Sequence, residues 1–113
     1  MPVYYIGAYD IDDPVAYEAY APVVLALLPK YGGELLAADT AAYAVEGRPK
    51  TMNAIIRFPS RDAALGLYGD PDYQPAKRLR HRSTSNITMV IVDAIGASGN
   101  DAASRLPAGA GDG

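Results

Sequence analysis

The side chains with the greatest capacity for chemistry lie in one short basic run, Arg78-Leu79-Arg80-His81-Arg82, which contains the only histidine of the chain. An unperturbed imidazole changes charge near neutral pH, so any general acid–base role falls first to His81. Arg80 could hold a carboxylate or an enolate through paired N–H donors. The alternative for both residues is a solvated helix end, where cations interact favourably with the helix dipole.

Tyrosine is the second source of chemistry, with nine residues against one phenylalanine and no tryptophan. Its apolar ring and polar tip suit the lining of a pocket for a small aromatic or polyketide-like molecule. Tyr20, Tyr68 and Tyr73 fall on helix faces that should meet a sheet, and Tyr5 lies in the predicted first strand. These four tyrosines are the predicted substrate-binding residues. The alternative is that each is a core residue whose hydroxyl bonds to a backbone carbonyl.

Composition excludes several classes of function. The chain has no cysteine, which rules out thiolate nucleophiles, disulfides and thiolate metal sites. A single histidine rules out a multi-histidine metal site within one chain, and we predict no metal and no cofactor. The net charge of −3 argues against nucleic acid or an anionic membrane as the main partner. No signal peptide or membrane-spanning stretch is read from the sequence, so we expect a cytoplasmic protein.

The elements that must position these residues follow the order βαββαβ. Asp13-Pro14 predicts the start of the first helical region, which ends at Gly32-Gly33. Pro22 lies within it and predicts a kink or break near Ala21. Strand-like composition and apolar alternation predict five extended segments. They are Val3–Ile11, Glu34–Ala38, Tyr43–Val45, Thr51–Phe58 and Ile87–Ile95.

The second helical region has two parts. Ser60 caps a helix over Arg61–Tyr68, and Asp70-Pro71 starts a segment that runs to about Arg82. With antiparallel pairing, this order predicts the α+β class and the ferredoxin-like arrangement, in which both helical regions cover one face of a four-stranded antiparallel sheet. The segment from residue 96 to residue 113 is rich in Gly, Ala, Ser and Asp, so we predict one domain over residues 1–95 and a disordered C-terminal tail.

The last predicted strand is apolar on both faces, since Met89 and Ile91 point one way while Val90 and Val92 point the other. Helices can cover only one face of this sheet, and an exposed apolar face is an association site. We therefore predict a homodimer formed through the sheet faces. By the alternation of Thr51–Phe58, Asn53 and Arg57 belong to the partner side. The alternative is that a loop or the C-terminal tail covers this face.

The chain resembles a known family from about Val3 to Asp93. The resemblance depends on the order and spacing of several short motifs together. The chain resembles the bacterial family called domain of unknown function 1330 in the following motifs: Asp13–Tyr17, Lys30–Gly33, Glu46-Gly47, Phe58–Ser60, Tyr68–Tyr73 and Leu79-Arg80. The resemblance implies a dimeric α+β barrel built from two ferredoxin-like units, with a small-molecule pocket between the sheet and helices of each subunit. It also matches Arg80 to the arginine of the family.

Related dimeric barrels include cofactor-free monooxygenases, muconolactone-type isomerases, polyketide cyclases, dehydratases and proteins with no known activity. The resemblance thus implies a homodimeric small-molecule-binding protein, with cofactor-independent catalysis of one of these types as the function to test. In that case His81 would move protons, Arg80 would hold an anionic group and the tyrosines would enclose the ring. The alternative function is a non-catalytic dimeric scaffold or sensor.

Overall fold

The computed structural model describes residues 1–95, and the predicted tail of residues 96–113 lies outside the described residues. Its strands form one four-stranded antiparallel sheet in the order β2-β3-β1-β4. This is the predicted ferredoxin-like order. The segment Tyr43–Val45, predicted to be extended, forms no strand and belongs to the irregular connection between β2 and β3. The strands are β1 (Val3–Ile11), β2 (Glu34–Asp39), β3 (Met52–Phe58) and β4 (Thr84–Asp93).

The helices lie on one face of this sheet, as predicted. Two of them begin at the expected side-chain caps: Asp13 Oδ1 accepts from the backbone N–H of Ala16 at 3.1 Å, and Ser60 Oγ accepts from that of Ala63 at 3.1 Å. Each cap satisfies a donor that the first helical turn leaves free. The helices are α1 (Pro14–Tyr17), α2 (Tyr20–Leu27), a 3-10 turn (Leu28–Tyr31), α3 (Arg61–Tyr68) and α4 (Gln74–Ser83).

The first helical region breaks between α1 and α2, slightly earlier than the predicted position near Ala21. Pro22 has no N–H, so the carbonyl of Glu18, one turn earlier, receives no helical hydrogen bond from it. The break therefore falls at Glu18 and not at the proline itself. Glu18 and Ala19 keep helical backbone angles. The break is therefore a kink, and α1 remains a single turn with no buried residue.

The helix-covered face of the sheet carries the core. On β3 this face presents Met52, Ala54, Ile56 and Phe58, as the alternation predicted, and Phe58 is fully buried. Gly7 of β1 lies opposite both Ala54 of β3 and Met89 of β4. Met89 therefore faces the helices and Val90 faces away from them.

The opposite face of the sheet is exposed and apolar at its centre. Ile6 of β1 pairs with Ile55 of β3 on one side and with Val90 of β4 on the other. These three side chains form a continuous row across the central strands, and they are 36%, 36% and 50% exposed. Arg57, Tyr4 and Val92 form the next row along the sheet. Asn53 and Arg57 lie on this outer face, as their alternation predicted.

A buried carboxylate ties the 3-10 turn to the connection between α3 and α4. One carboxylate oxygen of Asp70 accepts from Lys30 Nζ at 2.8 Å and from the hydroxyl of Tyr31, and the other accepts from the backbone N–H of Asp72 at 2.8 Å. These hydrogen bonds, with that from Lys30 first, lower the pKa of Asp70 to about 2. The carboxylate is fully satisfied, so its role is structural.

Candidate functional site

An apolar cavity lies between the helix-covered face of the sheet and α2, with a volume of about 110 Å³. The odd-numbered residues of β1 form its floor, and one face of α2 forms its roof. Its lining residues are Tyr5, Gly7, Tyr9, Tyr17, Tyr20, Ala21, Val24, Leu25, Leu28, Leu35, Ala38, Met52, Ala54, Ile56 and Met89. No charged side chain is among them.

Gly7 creates part of this space. A Cβ atom at this position would lie 3.6 Å from Tyr5 Cε1 and 3.7 Å from Met89 Cγ, which are ordinary van der Waals contacts. The backbone angles of Gly7 are also open to other residues, since its φ is not positive. Neither sterics nor the backbone requires glycine here, so its effect is to leave volume in the cavity.

Two pairs of tyrosine hydroxyls lie beside the cavity. Tyr20 and Tyr73 share a buried hydrogen bond of 2.6 Å between their hydroxyl oxygens, and Tyr9 and Tyr17 form a second such pair. Burial, followed by the influence of the hydroxyl partner, raises the pKa of Tyr9 and of Tyr20. These hydroxyls stay protonated at neutral pH. Because one proton suffices to join two oxygens, each pair retains one further O–H donor.

The predicted binding tyrosines come together. Tyr5, Tyr20, Tyr68 and Tyr73 all line a small internal space of about 20 Å³. Tyr5 also lines the cavity under α2, and its hydroxyl donates to the sulfur of Met89 at 2.6 Å. With Tyr68, it further lines a hollow of about 190 Å³ on the α3 side. The alternative is correct in part: Tyr20 and Tyr73 belong to the hydrophobic core, and Tyr5 and Tyr68 pack against it. The hydroxyl partners of Tyr5, Tyr20 and Tyr73 are side chains, however, and not backbone carbonyls.

Arg80 is completely buried, with 0% of its surface exposed. Its guanidinium carbon lies 5.8 Å from the ring centroid of Tyr9 and 5.6 Å from that of Tyr20, both of which line the cavity. Within the described part of the chain, none of its three guanidinium nitrogens has a hydrogen-bond partner. The solvated helix end considered from the sequence therefore does not apply to Arg80.

The charge of Arg80 is maintained despite its burial. Burial acts to lower the pKa of the guanidinium, and interactions with Tyr20 and Tyr73 raise it by more, so the pKa lies above its usual value. The contact with the Tyr73 hydroxyl favours the charged form without reaching hydrogen-bond geometry. A cation with unused donors thus lies directly behind two tyrosine rings of the cavity wall.

His81 is placed differently from the other predicted residues. Its side chain is exposed on α4 and lines none of the hollows that contain the tyrosines. Partial burial of the ring, followed by the charges of Arg80 and Lys77, lowers the pKa of His81. The structure therefore places Arg80 against Tyr20, which shares a small internal space with the other three predicted tyrosines, and leaves His81 outside this group. A catalytic role for His81 stays a prediction.

Two tyrosines of the site were missed by the sequence analysis. Tyr9 shares the face of β1 that carries Tyr5 and Gly7, and Tyr17 lies at helical spacing before Tyr20. Strand alternation in Tyr5-Ile6-Gly7-Ala8-Tyr9 would have identified the first of them. Tyr17 could have been found because it lies three residues before Tyr20, on the same face of the predicted helical region.

Other kinds of site receive no support from the described residues. Over residues 1–95, no group of three His, Asp or Glu side chains is placed to hold a metal ion. None of the helices in this range is long and apolar enough to cross a membrane.

The fold and the cavity define a ferredoxin-like α+β protein, and comparison with known proteins agrees. Residues 2–95 match the family model described as a domain of unknown function, DUF1330, and the chain belongs to this family. No significant match to a curated protein is found.

Solved structures share the fold at low sequence identity. The RPA0582 protein of unknown function from Rhodopseudomonas palustris is 16% identical with a TM-score of 0.72, over 84% of this chain and 83% of the other. A dimeric ferredoxin-like protein of unknown function from Jannaschia sp. CCS1 is 14% identical with a TM-score of 0.71, over 83% and 100%. SnoaB, a cofactor-independent oxygenase from Streptomyces nogalater, is 11% identical with a TM-score of 0.63, over 87% and 97%.

Proposed function

We propose that the protein is a cytoplasmic homodimer that binds a small aromatic or polyketide-like molecule between the sheet and helices of each subunit. The observation that carries this proposal is the tyrosine-rich cavity of about 110 Å³, whose remaining lining is aliphatic. Concave, mostly apolar spaces with a few polar groups at one end are typical of small-molecule sites. A fully packed core would have offered no such space.

The chemistry open to such a site is cofactor-independent. Tyrosine hydroxyls that remain protonated can donate a proton or a hydrogen bond to an oxygen of the ligand, and Arg80 can stabilise negative charge that develops as an enolate forms. Isomerisation, cyclisation and dehydration use these steps. The description of SnoaB as a cofactor-independent oxygenase adds oxygenation of an electron-rich substrate to the reaction types to test.

A second candidate function is a non-catalytic dimeric scaffold or sensor. The exposed position of His81 favours it, because the side chain best suited to proton transfer at neutral pH lies away from the cavity. Binding without turnover would support this alternative. Catalysis that depends on His81 would contradict it.

The ligand proposal is tested with a cavity-filling variant. Gly7→Val places a β-branched side chain where a Cβ already fits, so the strand should form while the cavity shrinks. We expect compounds from a panel of single-ring aromatics to raise the melting temperature of the wild type but not that of Gly7→Val. Tyr43→Ala, which changes a residue that is 92% exposed, is the matched control and should respond like the wild type. An identical response of Gly7→Val and the wild type would contradict the proposal.

The homodimer proposal rests on the exposed row formed by Ile6, Ile55 and Val90. The Jannaschia structure is described as dimeric, which supports a dimer for this fold. Burying this row against a second copy removes apolar area from water and closes the assembly by twofold symmetry. We expect Val90→Glu to be a monomer in light scattering, while Val15→Glu, which changes an exposed valine on the helix side, stays dimeric. A wild type that is monomeric at micromolar concentration would refute the dimer.

A further inference from the structure

The buried guanidinium of Arg80 calls for a negatively charged partner. Burying a cation is costly unless its charge is compensated and its donors are satisfied. Within residues 1–95, no carboxylate pairs with Arg80 and no hydrogen bond reaches its nitrogens. A water molecule could accept hydrogen bonds from some of these donors, but it carries no opposite charge. An anion provides both.

The polar groups around Arg80 offer more hydrogen-bond donors than the surrounding acceptors use. The Tyr9–Tyr17 and Tyr20–Tyr73 hydroxyl pairs each retain one O–H that the pair does not use. Together with the guanidinium N–H groups, they present several donors and no anionic acceptor. A carboxylate, with two oxygens and several lone pairs, is the complement of such a set.

The position of Arg80 also indicates what the anion is attached to. Tyr9 and Tyr20, whose rings contact the guanidinium, are walls of the apolar cavity. A ligand that reaches Arg80 would therefore place its remaining atoms among aliphatic side chains. A dry cavity of roughly 150 Å³ holds benzene, and the present cavity is somewhat smaller at about 110 Å³. The apolar part of the ligand should therefore be no larger than a single ring or a short branched chain.

Access to the guanidinium requires a movable wall. Tyr17 lies on α1, the single-turn helix without buried residues, and its hydroxyl is held only by that of Tyr9. A carboxylate could replace the Tyr17 hydroxyl as the partner of Tyr9 and accept from Arg80 at the same time. The exchange keeps the Tyr9 hydroxyl bonded and fills the open donors.

We propose that the ligand is a small organic acid, whose carboxylate is held by Arg80 and the spare tyrosine hydroxyls while its apolar part occupies the cavity. This inference rests on the proposed function and names its substrate class. Chloride or another inorganic anion could satisfy the same guanidinium, so the experiment separates that source from an organic acid.

The test uses matched acids and alcohols in chloride-free buffer: benzoate with benzyl alcohol, and 3-methylbutanoate with 3-methylbutanol. Binding to the full-length protein is measured by calorimetry and by melting temperature. Arg80→Met removes the charge while keeping a long apolar side chain, and Arg82→Met is the matched control because Arg82 is exposed on the same helix. We expect an acid to bind on the order of tenfold or more tightly than its alcohol, and this preference to vanish in Arg80→Met only.

The outcomes distinguish this inference from the proposed function. If the alcohols bind as tightly as the acids, or if Arg80→Met keeps the preference, the cavity binds small molecules but the acid inference is wrong. If chloride raises the melting temperature as much as the acids at equal concentration, the site takes inorganic anions and the substrate class is wrong. If no compound of either kind binds, both the inference and the proposed function fail.

Discussion

Replacing Arg80 with methionine tests how the buried guanidinium affects folding. Methionine keeps a long unbranched chain but removes the charge and every N–H donor. In the protein without ligand, no residue within the described range satisfies the three guanidinium nitrogens. We therefore expect Arg80→Met to be more stable than the wild type, which is the opposite of the usual result for a core substitution.

The size of the effect follows from two opposing contributions. An unsatisfied buried polar group costs about 1 kcal/mol at the low end of the usual range, which makes about 3 kcal/mol for the three nitrogens. The cation–π contacts with Tyr9 and Tyr20, at 5.8 and 5.6 Å, lie close to the distance limit of about 6 Å for this interaction. We therefore take about 0.5 kcal/mol for each, so the two contacts stabilise the wild type by about 1 kcal/mol together. The free energy of unfolding should thus rise by about 2 kcal/mol in Arg80→Met. For a domain of this size, the melting temperature should rise by roughly 10 °C.

The assay is urea unfolding followed by circular dichroism, in chloride-free buffer and at one fixed protein concentration because a dimer's stability depends on concentration. Arg82→Met should change the free energy of unfolding by less than about 0.5 kcal/mol. Addition of benzoate should reduce the difference between Arg80→Met and the wild type by stabilising the wild type more. If Arg80→Met is less stable than the wild type without any ligand, the guanidinium is already satisfied in the folded protein and the reasoning is wrong.

Three further predictions follow from other contacts. The pKa of Asp70 is lowered to about 2, so its contribution to stability is present above about pH 4 and is lost as the pH falls toward 2; Asp70→Asn should remove this part of an acid-unfolding curve. Gly33→Ala would place a Cβ atom 2.9 Å from Cε1 of the buried Phe58 and should cost about 1–3 kcal/mol in urea unfolding. Tyr20→Phe leaves the Tyr73 hydroxyl without its partner and should cost about 1 kcal/mol by the same method.

Much of the fold could be predicted because local signals agree with the tertiary structure. Strand β1 runs over Val3–Ile11 and helix α3 over Arg61–Tyr68, as predicted, since β-branched composition, the Ser60 cap and Gly69 mark their limits. Strand β4 begins at Thr84 rather than Ile87. Polar residues open this strand, and its pairing with β1, rather than its own composition, sets where it starts.

The burial of Arg80 could be predicted only in part. Ala76, Arg80 and Ser83 form the buried face of α4, and Tyr73, just before the helix, continues the same helical spacing. The basic residues around Arg80 make this pattern hard to recognise in the sequence. The guanidinium is enclosed by tyrosines from β1 and α2, which are far from it in sequence. Such an enclosure depends on tertiary packing and leaves no local signal.

Because Gly7 has no side chain, binding of a ligand in the cavity should change the amount of folded protein. Since an alanine would fit there, the open volume lowers the stability of the ligand-free state without any gain in backbone geometry. A molecule that fills this volume restores the lost contacts and shifts the folding equilibrium in proportion to its concentration. In a cell, the abundance of the folded protein would then follow the supply of its ligand, and resistance to proteolysis would be a direct measure of occupancy.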